Sequence, residues 1–252
     1  MKKVVGYGMV FVAVFVASAL VHLPAQFVIK HLPLPSQLQV TGIQGSLWQG
    51  KVEQVRWQNR NFGDVSWQFK PSALLGAKAE VDVRFGRDSE LSLRGKGTIG
   101  YGLAGLYAEN IIASIPADVV LRQLPIAVPI VAQGQLELSL KEYRYQAPFC
   151  STALGTLAWS SANVESPLGS LQLAQVIADL ECSENTLKIK GNQESTQVNS
   201  EFSAQLNPDR TYQADGWFKV GAEFPEQLAE QLKWLPKPDA QGRYAFKHQD
   251  RL

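Results

Sequence analysis

Gly95, Gly97 and Gly100 have the spacing of GxGxxG, the loop that lets a backbone approach a dinucleotide pyrophosphate. That chemistry needs a strand before the loop, a helix after it and an acidic residue about twenty positions on. Leu91 to Arg94 supplies a strand, but Tyr101, Gly102, Leu103, Ala104 and Gly105 make a poor helix start, and nothing alternates β with α. The glycines are read as bends or bulges in strands, and no cofactor is expected. Of the three histidines, His22 follows an apolar run, His31 lies in a linker and His248 is near the C-terminus. None has a candidate nucleophile beside it on a helix or strand. GxSxG, HExxH and P-loop patterns are missing, so the chain is read as non-enzymatic. Three His and two Cys leave little for a metal centre. Against 24 Lys+Arg stand 23 Asp+Glu, a formal charge of +1 that lacks the basic excess of a nucleic-acid binder.

Cys150 and Cys182 can pair once, which fits an oxidising compartment. The bond would close a loop worth roughly 3.5 kcal/mol on the chain-entropy account. Two buried free thiols are the alternative. The six tryptophans, Trp48, Trp57, Trp67, Trp159, Trp217 and Trp234, suit cross-strand packing. Trp234, at the end of an amphipathic segment, is the candidate for an exposed contact with membrane or partner.

The elements that would carry these residues begin with an anchor. Lys2 and Lys3 precede eighteen uncharged residues, Val4 to Val21. About twenty helical residues span the roughly 30 Å hydrocarbon layer. The flanking lysines keep the N-terminus cytoplasmic. The rest of the chain then lies in the periplasm of a Gram-negative cell. Ala17-Ser18-Ala19 has the form of a signal-peptide cleavage site, the competing reading, yet the apolar run is longer than the usual h-region. The organisation expected is a cytoplasmic stub 1–3, an anchor 4–23, a linker 24–35 and a periplasmic β-domain 36–252.

Beyond the linker, period-2 alternation dominates. Val65, Trp67 and Phe69 alternate with Ser66 and Gln68; Val81, Val83 and Phe85 with Asp82 and Arg84; Leu136, Leu138 and Leu140 with Glu137 and Ser139; Phe202, Ala204 and Leu206 with Ser203 and Gln205. Each run is that of an antiparallel strand with one apolar and one wet face. Turn signals fall at Gly42 to Gly45, Asn59 to Gly63, Gly86 to Ser89, Ser183 to Asn185 and Asn207 to Arg210. About a dozen strands fit. Helix is expected only at Pro116 to Leu124, in a single turn at Ser72 to Leu75, and at Phe224 to Leu235, where Phe224, Leu228, Leu232 and Leu235 share a face. The fold class expected is mainly β, a largely antiparallel sheet curled into a sandwich or trough. A weak echo of Gly45-Ser46-Leu47-Trp48 in Gly155-Thr156-Leu157-Ala158-Trp159 raises the alternative of two similar halves, 36–140 and 141–252.

The Lys-Lys start, the single span, Gly45-Ser46-Leu47-Trp48-Gln49-Gly50 and the run from Trp67 through Pro71 to Gly76 resemble the type II secretion system protein N family, also called general secretion pathway protein N. So do Cys150, Gly155 to Trp159, Ala162 to Val164, Pro167 to Gly169, Cys182 and Gly242 to Tyr244. The resemblance implies a non-catalytic, single-pass inner-membrane protein with a periplasmic β-domain. It implies a role in exporting folded proteins from the periplasm across the outer membrane, with other inner-membrane components of that system as partners. The β-region also looks similar to the lipid-handling troughs of AsmA-type proteins. That likeness gives the alternative of a lipid-binding or lipid-transfer module, with lipid as the partner.

Overall fold

The computed structural model describes residues 11, 14, 15, 18, 22–31, 35–123 and 129–251. Most of the expected anchor, 4–23, lies outside the described residues, as do Leu32, Pro33 and Leu124. No described helix is long and apolar enough to cross a membrane.

The molecule is mainly β. In chain order, β1 (Leu38–Gly45), β2 (Gln49–Trp57), β3 (Arg60–Asn61), β4 (Val65–Phe69), β5 (Ala79–Phe85), β6 (Arg94–Gly102) and β7 (Gly105–Pro116) precede β8 (Val131–Arg144). Then come β9 (Thr152–Ser166), β10 (Gly169–Ser183), β11 (Thr186–Glu194), β12 (Val198–Leu206), β13 (Thr211–Val220) and β14 (Arg243–Arg251). Fourteen strands form one sheet in the order β1-β2-β4-β5 and on consecutively to β14, with β3 beside β2. Every pairing is antiparallel. Each strand thus pairs with its neighbour in sequence, as short polar turns between half-apolar strands dictate. The position 140/141 falls inside β8, which pairs with both β7 and β9, with a bulge against β9 between Leu140 and Glu142.

A short helix, α1 (Ala25–His31), precedes β1, and α2 (Ala117–Leu121) and α3 (Glu226–Gln231) interrupt the meander among the described residues. Short 3-10 helices lie at Pro71–Gly76 and Leu232–Trp234. Pro116 caps α2 in an extended conformation, and Ala117 and Val119 bury its inner side. Phe224, Leu228 and Leu232 are half-buried, while Leu235 stays exposed. The expected turn at Gly42 to Gly45 is instead the end of β1, and the turn itself is Ser46 to Trp48. Gly42 and Gly45 take φ of 69° and 87°, so the glycines mark positions of the strand that other residues rarely adopt.

Nothing in this sheet resembles a thick core. Among the described residues, half of the buried apolar side chains are alanines, and the rest are Val52, Val119, Val198, Tyr107 and the two cysteines. One cluster gathers Cys150, Ala153 and Cys182 with Tyr143, Phe149, Leu180 and Leu187. Stability therefore comes from many half-buried cross-strand neighbours, each adding roughly 0.2–1 kcal/mol over an Ala–Ala pair.

Candidate functional site

The residues that could do chemistry do not converge. His22 Nδ1 donates to the Ser18 carbonyl at 2.9 Å, and His31 Nδ1 to that of Phe27 at 2.7 Å. His248 Nε2 meets the Tyr212 hydroxyl at 3.0 Å on the exposed β13–β14 surface. No group of three His, Cys, Asp or Glu suited to a metal is found among the described residues. Gly95, Gly97 and Gly100 lie in β6, and neighbouring strands explain all three. A Cβ there would sit 2.3 Å from the Phe85 ring, from Ile111 Cδ1 and from the Tyr107 ring, respectively. The glycines make room for side chains from the strands on either side, which is a packing role.

The densest polar cluster is a brace. The Tyr107 hydroxyl donates to Glu80 at 2.6 Å. Lys70 Nζ donates to Thr98 at 3.1 Å and pairs with Asp82 at 2.8 Å, while the Thr98 hydroxyl donates to Asp82 at 2.6 Å. The hydrogen bonds from Lys70 and Thr98 hold the Asp82 carboxyl below the ordinary aspartate range. Burial, then the bond to Glu80, pushes Tyr107 up to about 12. These groups brace the sheet from the end of β4 across β5, β6 and β7; Asp82 is held ionised and Tyr107 holds its proton, so neither is an acid or base poised near neutral pH.

The structure joins Cys150 and Cys182 in a disulfide, S–S 2.02 Å, which ties the turn before β9 to the end of β10. Trp234 stands 86% exposed just after α3.

The feature that dominates the molecule is its apolar face. From strand to strand, directly paired residues read Ile43, Val52, Val65, Phe85, Gly95, Ala113, Leu138, Leu157, Ala178, Gly191, Phe202, Gly216 and Phe246. That rung crosses from β1 to β14 without one polar side chain. Beside it, near the β14 end, Trp159, Val176, Phe202, Ala204, Ala214 and Phe246 border a hollow of about 460 Å³. The two ends of the sheet differ. At the first, α1 lies against β1, and Pro24 bridges to Ser46. At the other, β14 has only β13 beside it, and Ala245 to Arg251 are exposed. An unpaired edge and a broad apolar face are the two surfaces by which sheets recruit partners. Alternation within single strands revealed the apolar positions; the rung needed the register, which no single strand carries.

Such a sheet offers an edge and an apolar face as surfaces, and no cluster suited to a reaction is found among its described residues. The family model for type II secretion system (T2SS), protein N, matches residues 36–247. The chain is 52% identical over 252 residues to the type II secretion system protein N of Vibrio cholerae serotype O1, covering all of both chains. It is 32% identical over 255 residues to that of Aeromonas hydrophila, again covering all of both, and 28% over 250 residues to that of Pectobacterium carotovorum, with 99% of this chain and 94% of the relative covered. No solved structure matches. The chain belongs to the type II secretion system protein N family. It is a non-catalytic component of type II secretion in the Gram-negative envelope.

Proposed function

We propose that the chain is a single-pass inner-membrane protein with a cytoplasmic N-terminus, and that its sheet stands in the periplasm and works by touching other inner-membrane components of the secretion system. The observation that carries this is the uninterrupted apolar rung ending at an edge strand with one neighbour. Lys2 and Lys3 before the apolar run support the orientation. Phe11, Val14 and Phe15 are helical and 73%, 63% and 66% exposed, as side chains meant for lipid would be. We infer that the apolar face curls into a trough. Twist accumulates across so many strands, and an apolar side without a second layer reduces its wetted area by curving.

Deleting the gene and measuring secreted enzymes in the medium tests the role. Reduced export, restored by the wild-type chain, is expected. Unchanged export together with unchanged composition of the secretion complex would remove the proposal.

A second reading, an AsmA-like lipid-binding trough, is favoured by one observation, the apolar hollow of about 460 Å³ beside Phe202 and Phe246. Native mass spectrometry of the purified chain decides it. Co-purifying phospholipid lost on Ala204→Glu supports it; a lipid-free chain ends it.

A further inference from the structure

The opposite face of the sheet carries a rung of another kind. Lys51, Ser66, Arg84 and Lys96 face one another in succession across β2, β4, β5 and β6. Arg84 thus stands directly opposite Lys96, and like charges in that position destabilise a sheet. Elsewhere, facing charges are matched or compensated. Asp179 faces Lys190, Glu181 faces Lys188 and Asp215 faces Lys247. Glu109 faces Glu142, but Arg144 holds Glu142 at 2.6 Å; Lys219 faces Arg243, but Asp239 holds Arg243 at 2.8 Å. Arg84 and Lys96 have no ion-pair partner among the described residues. Asp82, on β5, lines one hollow with these cations and feels the charge of Arg84 but is held directly by Lys70 and Thr98, and Asp64 accepts the Arg87 amide at 3.0 Å and meets Lys51 at 3.6 Å.

These cations open on a hollow of about 700 Å³ whose lining includes Lys51, Ser66, Arg84 and Lys96. Arg94 joins Arg84 and Lys96 around the adjoining hollow. The place is as informative as the charge. Gly45 and Gln49, which flank the β1–β2 turn, line the same hollow. That turn is where the N-terminal segment is fastened: the Leu47 amide donates to the Leu23 carbonyl at 3.0 Å, and Pro24 bridges to Ser46. Lys51 is two positions beyond Gln49, so the rung stands about 7 Å along the strand from the turn.

We propose that Lys51, Arg84 and Lys96 bind the phosphate of an anionic phospholipid head group in the leaflet from which the chain emerges, an inference that rests on the anchored reading above. A planar guanidinium takes two phosphate oxygens at once, and the two ammonium groups add mobile donors. The bound anion removes the repulsion between Arg84 and Lys96, so the site is a stressed surface when empty and a balanced one when filled. A juxtamembrane position brings the head groups within the short range over which such charges act.

The test places the full chain in nanodiscs of phosphatidylethanolamine with a minor fraction of phosphatidylglycerol, then reads the lipid retained on release by native mass spectrometry. Wild type should retain phosphatidylglycerol over phosphatidylethanolamine by about tenfold, and Arg84→Gln with Lys96→Gln should show no preference. Lys190→Gln with Lys247→Gln, on the same face, should keep it. In lipid-free detergent the Arg84/Lys96 variant should melt no lower than wild type, since it has lost a repulsion; Arg84→Gln alone serves where the pair does not fold. Insertion with equal retention by wild type and variant, or occupation by inorganic phosphate in place of lipid, overturns the site alone. Failure of the chain to enter the nanodisc overturns the anchored reading and the site with it.

Discussion

Phe202 on β12 lays its ring across Gly191 on β11, so that a Cβ built on Gly191 would sit 2.4 Å from the ring's Cζ. Phe85 covers Gly95 in the same way, and Phe246 covers Gly216, with the corresponding distances at 2.3 and 2.6 Å. The pairing of a large ring with a bare backbone is how a sheet without a second layer shields its own amides while keeping the strands at ordinary spacing. It also fixes register, because a slip by one residue would turn every ring to the wet face.

Gly191→Val should therefore lower stability by about 2 kcal/mol, the usual scale for overpacking a filled site. Phe202→Leu in the same chain should recover part of that loss by moving the ring atoms away. Thermal melting of the full chain in detergent checks both. Equal damage from Gly191→Val with and without Phe202→Leu would show that the ring is not what the glycine accommodates.

Tyr107 gives an alkaline prediction. Burial, then the hydrogen bond to Glu80, raises its hydroxyl to about 12, against about 10 in an unfolded chain. The folded state therefore holds this proton more tightly than the unfolded one, so the contribution is fully present below pH 10 and is lost as the pH rises toward 12. Tyr107→Phe should flatten the stability curve in that window. It should also remove the last phenolate to appear in an ultraviolet pH titration. A phenolate at Tyr107 forming alongside the exposed tyrosines would contradict the brace.

Cys150→Ser should destabilise the chain by about 3–4 kcal/mol by releasing a loop of more than thirty residues in the unfolded state. The loss should match that of Cys182→Ser, since either change removes the same link. Wild type should change its electrophoretic mobility on reduction, and neither variant should. Identical migration of wild type before and after reduction would contradict the link.

Much of this architecture is written locally. Val65, Trp67 and Phe69, or Val81, Val83 and Phe85, each announce a strand with one apolar side, because a strand in a single-layer sheet has one face to bury and one to wet. Pro116 and Pro225 likewise fix where α2 and α3 begin. What no segment states is its register with its neighbours. Gly95, Gly97 and Gly100 look like a phosphate loop until Phe85, Ile111 and Tyr107 are seen to occupy the space above them. Arg84 and Lys96 are twelve positions apart and meet only because the β5–β6 turn sets their pairing. The glycines of β1 misplaced a turn for a related reason: positive φ serves a kinked strand as well as a turn.

In the proposed role the sheet acts by contact, through β14 and the apolar face. A photoactivatable residue placed in living cells at Ala245, Phe246 or Trp234, with Gln213 and Lys190 as polar-face controls, tests it most directly. Protein adducts containing other secretion components from the first three positions and none from the controls are the result predicted. Adducts confined to the polar-face controls, or phospholipid as the sole product from Phe246 with no protein captured at Ala245 or Trp234, would contradict it.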